Sequence, residues 1–346
     1  MKLKVLLMGF AALALASCSS EDDIDVNQGH AIGFRPALGS VSRATEINNS
    51  NLSAITVSAF MGQQQLFGDL GFTKGNQGFF TSNPEYYWPG DDTPLTFYAY
   101  SPSTPGGTMA ITADTKTLKD FSPANNLGDQ IDFITSTATG RKSTNEAEGV
   151  ELTFNHQLSQ IEIQAKTDNE VYTYEVTGIK IGKPISKASY NFDNKEWTPA
   201  SDRAIYSDTY NTPITLGAEA VSLMGDGGNA MLIPQQLTAW DPINDAANSN
   251  SGAYLALKLR IATKATGVVV YPFPSNPDND WAAIPIDTNW EAGKKYIYTL
   301  DLTHGAGFVD PEDPGHGTPV LGDAIKFTVN VIDWDEADST VDMKTK

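Results

Sequence analysis

The sequence predicts an all-β protein made of antiparallel β-sandwiches, and three observations support this fold class. Apolar and polar residues alternate in many short segments, as in SQIEIQAK at 159–166 and YLALKLRIAT at 254–263. Clusters of Gly, Pro, Asn and Asp separate these segments, and no segment after the N-terminal apolar run keeps a 3.6-residue apolar period. Such alternation is typical of half-buried strands, with apolar side chains inward and polar ones outward.

The first 17 residues have the features of an export signal. Lys2 and Lys4 form a basic start, and the apolar run that follows is too short to span a bilayer. The segment ends in LASC at 15–18, which resembles the lipobox of bacterial lipoproteins and implies that Cys18 is lipidated and begins the mature chain. The other interpretation is an ordinary secretory signal with an incidental cysteine, although Cys18 is the only cysteine in the sequence.

Residues 18–43 contain an acidic tether followed by one short predicted strand. The polar stretch SSEDDID comes directly after Cys18. It resembles an acidic signal for export to the cell surface, and its other interpretation is a flexible linker. In AIGF, Ile32 and Phe34 alternate as in a strand, and a loop with one basic residue, Arg43, follows.

From residue 55 onward the sequence predicts strand after strand. The alternating segments are LSAITVSAF, PLTFYAY, SQIEIQAK, YLALKLRIAT, KYIYTLDL and IKFTVNVIDW. The polar stretch TGRKSTNEAEG at 139–149 interrupts this series, so we expect a domain boundary there. The expected domains are residues 44–145 and residues 146–346.

The composition favours an exported globular protein and argues against two classes of partner. Hydrophobic residues make up 40% of the 346 positions and charged residues 19%, a balance typical of folded domains. The net charge of −19 becomes −21 without residues 1–17, which contain two lysines and no acid. Phosphate groups repel such a surface, so neither nucleic acid nor an anionic membrane surface is expected as a direct partner.

The sequence contains no motif that indicates catalysis, a cofactor or a metal. HExxH, GxSxG, P-loop and strand-borne GxGxxG patterns are all missing, so no catalytic residue is expected. The acidic loops at 276–281 and 310–316 lack the spacing of a calcium loop, and a solvated turn is the favoured interpretation. Of the six tryptophans, Trp281 lies in the most turn-like context and is the candidate for contact with a sugar.

Fragments spread along nearly the whole chain resemble the fimbrillin family of Bacteroidales, the Mfa-like and FimA-like pilins and minor pilus subunits. The most specific fragments are EYYWPGDDTPLTFYAYSP at 85–102, LTFNHQLSQIEI at 152–163 and AMLIPQQLT at 230–238. The others are the lipobox, AIGF followed by SRAT, TVSAF, DFITST, NWEAGKKYIYTLDL and the closing VNVIDW.

This resemblance implies a fold and an assembly mechanism. The fold is two transthyretin-like antiparallel β-sandwich domains in tandem. The precursor travels as a lipoprotein to the outer membrane, where it is exposed at the cell surface. A trypsin-like, Arg-specific protease then releases an N-terminal strand, and a strand from the next subunit fills the groove. The chain would thus be a structural subunit of a pilus that supports adhesion, and not an enzyme.

Carried to this sequence, the resemblance assigns roles to individual residues. Cys18 is the lipid attachment point, and the bond between Arg43 and Ala44 is the cut that makes residues 18–43 a propeptide. Ile32 and Phe34 would fill the groove from the strand that leaves. The candidate donor residues alternate in the last strand and are Ile325, Phe327, Val329 and Val331.

The other arginines are not equally suitable as cleavage sites for such a protease. Arg35 precedes Pro36, which blocks trypsin-like cleavage, and Arg260 lies within a predicted strand. Arg141 lies in the expected interdomain linker and is the obvious competitor of Arg43, whose loop has small neighbours.

Two questions stay open at the level of sequence. After Trp334 only the polar tail DEADSTVDMKTK remains, so either the last strand donates or the C-terminus of this subunit does not donate. The sequence does not distinguish a shaft subunit of the pilus from a tip subunit or an anchor subunit. The alternative function is a surface-exposed glycan-binding lipoprotein of a nutrient uptake system. The expected partners are the same or homologous pilus subunits through β-strand addition, the lipid anchor, the protease, and host or bacterial surface ligands.

Overall fold

The computed structural model describes residues 26–37, 47–48, 51–75, 78–225, 228–244 and 248–334, and it confirms the all-β prediction. Helical structure in these ranges is limited to α1 (Lys142–Asn145) and one 3₁₀ turn (Leu127–Asp129). None of the described helical turns approaches the length and apolar character that a membrane-crossing helix requires.

The strands follow one another along the whole described chain. Those of the first half are β1 (Val26–Ala31), β2 (Phe34–Ala37), β3 (Ala54–Met61), β4 (Gln64–Lys74), β5 (Phe80–Ser82), β6 (Tyr87–Pro89), β7 (Leu95–Ser101), β8 (Thr108–Ile111), β9 (Lys116–Phe121), β10 (Ile134–Gly140), β11 (Val150–Thr153) and β12 (Asn155–His156). Those of the second half are β13 (Ser159–Lys166), β14 (Tyr172–Ile185), β15 (Ala188–Asn191), β16 (Glu196–Pro199), β17 (Arg203–Thr215), β18 (Val221–Ser222), β19 (Ala230–Leu232), β20 (Gln235–Gln236), β21 (Tyr254–Thr263), β22 (Val269–Tyr271), β23 (Trp281–Pro285), β24 (Asn289–Trp290), β25 (Lys294–Asp301), β26 (Phe308–Val309) and β27 (Lys326–Asp333).

The first half is organised around an eight-stranded sheet with the order β11-β2-β5-β4-β3-β7-β10-β12, beside which β1 pairs with β6. Alternation along β7 explains how this sheet packs. Leu95, Phe97 and Ala99 point into the first hydrophobic core, while Tyr98 and Tyr100 lie on the opposite face. Tyr100 is also buried, at 3% exposure, so a second layer covers that face as well.

The second half contains two facing groups of strands with the largest core between them. One sheet has the order β18-β13-β25-β27 with β19 beside β13, and the other has the order β17-β14-β21-β23-β26 with β22 beside β21. Most pairs are antiparallel, as predicted, but β13 runs parallel to β25 and β2 runs parallel to β11. A parallel pair needs a long connection, and here more than a hundred residues separate the two members of each pair.

A small four-stranded sheet joins the two halves. Its order is β16-β15-β9-β8, so it combines two strands from each half. Aromatic side chains, Phe133 and Tyr190 among them, form a third core beneath it, with their ring centroids 5.6 Å apart and nearly perpendicular. This core is the layer that buries Tyr100.

The strands change from the eight-stranded sheet of the first half to the sheets of the second half later than expected. The predicted domain boundary lies between residues 145 and 146. The strands β11 and β12 follow that position, yet both belong to the eight-stranded sheet of the first half. A division drawn by sheets therefore falls between His156 and Ser159.

The polar face of β13 is buried, which differs from the sequence expectation. Gln160 and Glu162 are 1% and 3% exposed. The Glu162 carboxylate lies 2.8 Å from Lys295 Nζ on the neighbouring β25, and Gln160 accepts a hydrogen bond of 3.1 Å from Asn229. A buried polar side chain needs a hydrogen-bonding or charged partner. Here the partners come from distant parts of the chain, so alternation within β13 could not indicate that its polar face is buried.

Candidate functional site

The strand β2 is an interior strand of the eight-stranded sheet although it lies near the N-terminus. On one side it runs parallel to β11, with Phe34 opposite Val150, and on the other it meets β5, with Phe34 opposite Phe80. If this strand left, a row of backbone groups on β11 and the position of Phe80 on β5 would lose their partners in the middle of the sheet. We call the space that β2 occupies between β5 and β11 the β2 slot.

Phe34 fills the apolar part of the β2 slot, and Ile32, just before β2, packs into the same core. Ile32 and Phe34 are 1% and 0% exposed. The ring of Phe34 makes edge contacts with Phe72 and Phe97, at centroid distances of 4.8 and 5.1 Å. Burial of two such side chains contributes about 3–6 kcal/mol to stability. The first core of the protein therefore depends on a segment that precedes the predicted cut.

The turn before β11 shapes one wall of the slot. Val150 N–H donates a hydrogen bond of 2.9 Å to the carbonyl of Gly33, which aligns β11 with the segment leading into β2. Gly149 has a φ of +71°, and a Cβ there would lie 3.1 Å from the Gly33 carbonyl oxygen. Glycine is favoured at this position because it allows both the left-handed backbone and the close approach.

The strand β1 holds the same N-terminal segment at a second place. It pairs with β6, with Ala31 opposite Tyr87, and Ile32 N–H donates to the Tyr86 carbonyl at 2.7 Å. His30 N–H donates to the Glu146 carboxylate at 3.3 Å. A cavity of about 380 Å³ lies beside this segment and is lined in part by His30, Gly33, Phe79 and Glu146.

The predicted lipidation and cleavage residues Cys18, Arg43 and Ala44 lie outside the described residues. The strand β2 ends at Ala37, and the chain is described again from Ile47, whose N–H donates to the Asp132 carboxylate at 3.0 Å. Both β1 and β2 precede the predicted cut, and the remaining described strands follow it. Cleavage between Arg43 and Ala44 would therefore separate β1 and β2 from the remaining described strands.

The three other arginines considered as cleavage sites differ from one another in their surroundings. Arg35 is exposed on β2, immediately before Pro36. The Arg260 guanidinium lies 2.8 Å from the Glu175 carboxylate within the second half. Arg141 is exposed at the N-terminal end of α1, between β10 and β11.

The candidate donor residues are engaged in their own sheet. Ile325, just before β27, is 5% exposed and belongs to the core of the second half, against which Phe327 and Val329 are partly buried. Val331 is 48% exposed. The strand β27 lies at the edge of its sheet and pairs along its full length with β25.

The two acidic loops noted in the sequence lie side by side, and a lysine pairs with the buried acid that begins the second loop. Asn279 donates a hydrogen bond of 2.8 Å to the Pro314 carbonyl. Lys180 Nζ lies 2.7 Å from Asp310 and 4.4 Å above the ring of Trp281, whose face it covers. Within the described ranges, no group of three or more His, Cys, Asp or Glu side chains is placed to hold a metal ion.

Sequence reasoning named the residues that occupy the β2 slot but missed those that line it. Phe72, Phe80, Phe97, Val150 and Leu152 are all fully buried in the same core. The fragment LTFNHQLSQIEI at 152–163 stood out in the sequence, but it did not indicate that β11 pairs with a strand more than a hundred residues earlier.

The fold and the β2 slot define a β-sandwich protein whose first sheet is completed by an N-terminal segment. The chain belongs to the fimbrillin-like family, whose model matches residues 42–334. Fimbrium subunit Fim1C of Phocaeicola vulgatus is 27% identical over 92% of this chain and 97% of its own length. The crystal structure of a fimbrial protein from Bacteroides vulgatus superposes with a TM-score of 0.59 at 19% identity. That superposition covers 88% of this chain and 100% of the crystallised chain, and it shows the shared fold.

Proposed function

We propose that this chain is a structural subunit of a cell-surface fimbria, in which a strand of a neighbouring subunit replaces β2. The observation that carries the proposal is that β2 is an interior strand whose Phe34, like Ile32 just before it, is fully buried, yet it precedes the predicted cut at Arg43. The family match supports it, because that match begins at residue 42 and leaves β1 and β2 out. The family includes fimbrial subunits, which favours a structural role over a catalytic one.

The physical basis of the exchange is strand addition. Once β2 leaves, β5 and β11 present unpaired backbone groups beside an apolar slot, and this arrangement is a template for another strand. The incoming strand would run parallel to β11 and antiparallel to β5, as β2 does. Its residues at alternate positions would enter the pockets of Ile32 and Phe34, while main-chain hydrogen bonds would supply the rest of the affinity.

The proposal includes export and processing. The precursor is lipidated at Cys18 and anchored in the outer membrane with its domains exposed at the surface. An Arg-specific protease then cuts between Arg43 and Ala44, and the cleaved subunit joins the fimbria, which supports adhesion to host or bacterial surfaces. The two halves correspond to two transthyretin-like domains in tandem, joined by the small four-stranded sheet.

Limited proteolysis of the purified mature chain tests this proposal. Low-dose trypsin is expected to create a new N-terminus at Ala44 and leave residues 51–334 folded, because the cut falls in sequence between β2 and β3. The released segment should dissociate when a competing strand is supplied, and native mass spectrometry measures that loss. An Arg43→Gln variant is the control and should keep the segment. Cleavage at Arg141 with Arg43 left intact would contradict the proposal.

A further inference from the structure

A buried lysine and a buried carboxylate touch each other on one face of the sheet that contains β14, β21, β23 and β26, and we call them the Lys180–Asp310 pair. Lys180 Nζ lies 2.7 Å from Asp310 Oδ2, and the two side chains are 11% and 0% exposed. In the register of the sheet, Lys180 lies opposite Ala256, and Ala256 lies opposite Ala283. The row thus has small side chains on β21 and β23, which leave room for the lysine to reach the residue that follows β26.

Aromatic side chains shield the Lys180–Asp310 pair. The ring of Trp281 lies 4.4 Å from Lys180 Nζ, and Tyr254 belongs to a small buried cluster with the two alanines. A Cβ on Gly182 would clash with the ring of Tyr254, so glycine at this position makes room for that ring. Water is therefore excluded from the place where the amine and the carboxyl meet, which favours a reaction between them over their separate hydration.

The second carboxylate oxygen of Asp310 is held by two hydrogen-bond donors. Oδ1 accepts from Glu312 N–H at 2.8 Å and from the Tyr254 hydroxyl at 3.4 Å. The N–H of Asp310 donates to the Trp281 carbonyl at 3.2 Å, which fixes the backbone. When a nucleophile attacks a carboxyl carbon, negative charge develops on the oxygen that stays, and donors already in place stabilise it. The donors on Oδ1 are therefore arranged for an attack by the amine that touches Oδ2.

A third side chain, Asp313, is placed to move protons at the pair. Its Oδ2 is buried and makes no hydrogen bond with any residue that the structure describes. Asp313 N–H donates to the Asp310 carbonyl at 3.0 Å, so a tight turn brings the two acids together. Burial first, and then the charge of Asp310, raise the pKa of Asp313 above its ordinary value. A carboxyl with a raised pKa accepts and returns a proton near neutral pH more readily than an ordinary one.

We infer that Lys180 and Asp310 condense to an amide that cross-links the chain. The Lys180 ammonium passes one proton to Oδ2 through Asp313, and the amine then attacks Cγ of Asp310. The N–C bond forms, the nitrogen gives a second proton to Oδ2, and the Cγ–Oδ2 bond breaks, so that Oδ2 leaves as water. Asp313 ends in its starting protonation state, and no oxidant, reductant or other reactant is consumed.

Proximity makes this reaction favourable inside the folded chain. Two groups held in contact react as though each were present at about 10⁵ M or more, which outweighs the excess of water that disfavours amide formation in solution. The amide would tie β14 to the residue after β26, so a pulling force on a fimbria would not unfold the segment between Lys180 and Asp310. The cross-link goes beyond the proposed assembly and forms whether or not β2 is exchanged.

Tryptic peptide mapping of the full chain tests the cross-link. Tandem mass spectrometry is expected to find one branched peptide that joins Lys180 to Asp310 and is lighter by one water than its two linear parts. Lys180→Arg keeps a positive charge beside Asp310 but offers no amine, so it should give linear peptides only. Linear peptides alone from the unaltered chain would overturn the inference.

Two further variants test the proton relay. Asp313→Ala should lower the cross-linked fraction of freshly folded chain by at least about tenfold, because no carboxyl then moves protons between the amine and Oδ2. Lys183→Arg is the matched control, since Lys183 Nζ lies 2.9 Å from a Glu312 side chain that is 42% exposed, and this pair is open to water. It should leave the cross-linked fraction unchanged. An Asp313→Ala chain that cross-links as completely as the unaltered chain would overturn the role given to Asp313.

Discussion

Phe34 stabilises the core of the first half only as long as its strand stays in place. The Phe34→Ala variant is expected to lower the free energy of unfolding of the intact chain by about 3–5 kcal/mol, the usual effect of emptying a buried phenylalanine site. The same substitution should not change the stability of the cleaved chain after the segment has been removed. Denaturant unfolding of both forms measures the difference.

Arg35→Gln is the matched control for this prediction, because Arg35 is exposed on the same strand. It should leave both forms unchanged. If Phe34→Ala destabilised the cleaved and intact chains equally, the segment would not be leaving its slot after cleavage.

At the scale of single residues, local alternation predicted much of the site. Ile32 and Phe34 could be assigned to a buried face because they flank one small residue in a short strand-like segment. The stacking of His156 on Trp334 could not be predicted, since 178 positions separate the two residues and nothing in their sequence fragments indicates that they meet. Burial of Glu162 was missed for the same reason, because its partner Lys295 lies on another strand.

At the scale of elements, the β2 slot sets the pattern that an incoming strand must match. A peptide of residues 26–37 in which Gly33 and Phe34 exchange places should bind the cleaved chain about 10-fold to 100-fold more weakly than the natural peptide. The exchange moves the phenyl ring to the other face of the strand and forfeits its burial. Fluorescence anisotropy of labelled peptides measures the affinities.

A Gly33→Thr peptide provides the control for this experiment. A Cβ at position 33 would lie 3.6 Å from the Phe80 carbonyl oxygen, an ordinary contact, so this peptide should bind about as well as the natural one. Equal affinity of the exchanged and natural peptides would contradict the register seen for β2.

The elements themselves followed from the sequence, whereas their pairing did not. Alternating segments such as β7 and β21 lie where the pattern indicated strands. The parallel pairing of β2 with β11 depends on contacts between distant segments, and alternation reports only which face of one strand is apolar. Sequence patterns could therefore not predict that β2 is an interior strand of its sheet.

At the scale of the whole molecule, the small four-stranded sheet ties the two halves together. It takes β8 and β9 from the first half and β15 and β16 from the second, and its aromatic core buries Trp334. Nothing in the sequence indicates that these four strands form one sheet, because each half contributes two consecutive strands that resemble an ordinary hairpin. The third core thus contains residues from both halves, including the residue that follows the last strand.

If the proposed assembly mechanism holds in cells, processing at Arg43 decides whether the chain stays at the membrane or enters a fimbria. The Arg43→Gln variant is expected to remain in the detergent-soluble membrane fraction with its lipid on Cys18, because β2 stays covalently attached and competes for its own slot. The unaltered chain should appear in sheared fimbriae with Ala44 at its N-terminus. Arg141→Gln is the control and should behave like the unaltered chain, since Arg141 lies beyond the segment that fills the slot. Quantitative immunoblotting of the two fractions measures the partition, and Arg43→Gln subunits found in sheared fimbriae at the unaltered level would refute cleavage-dependent assembly.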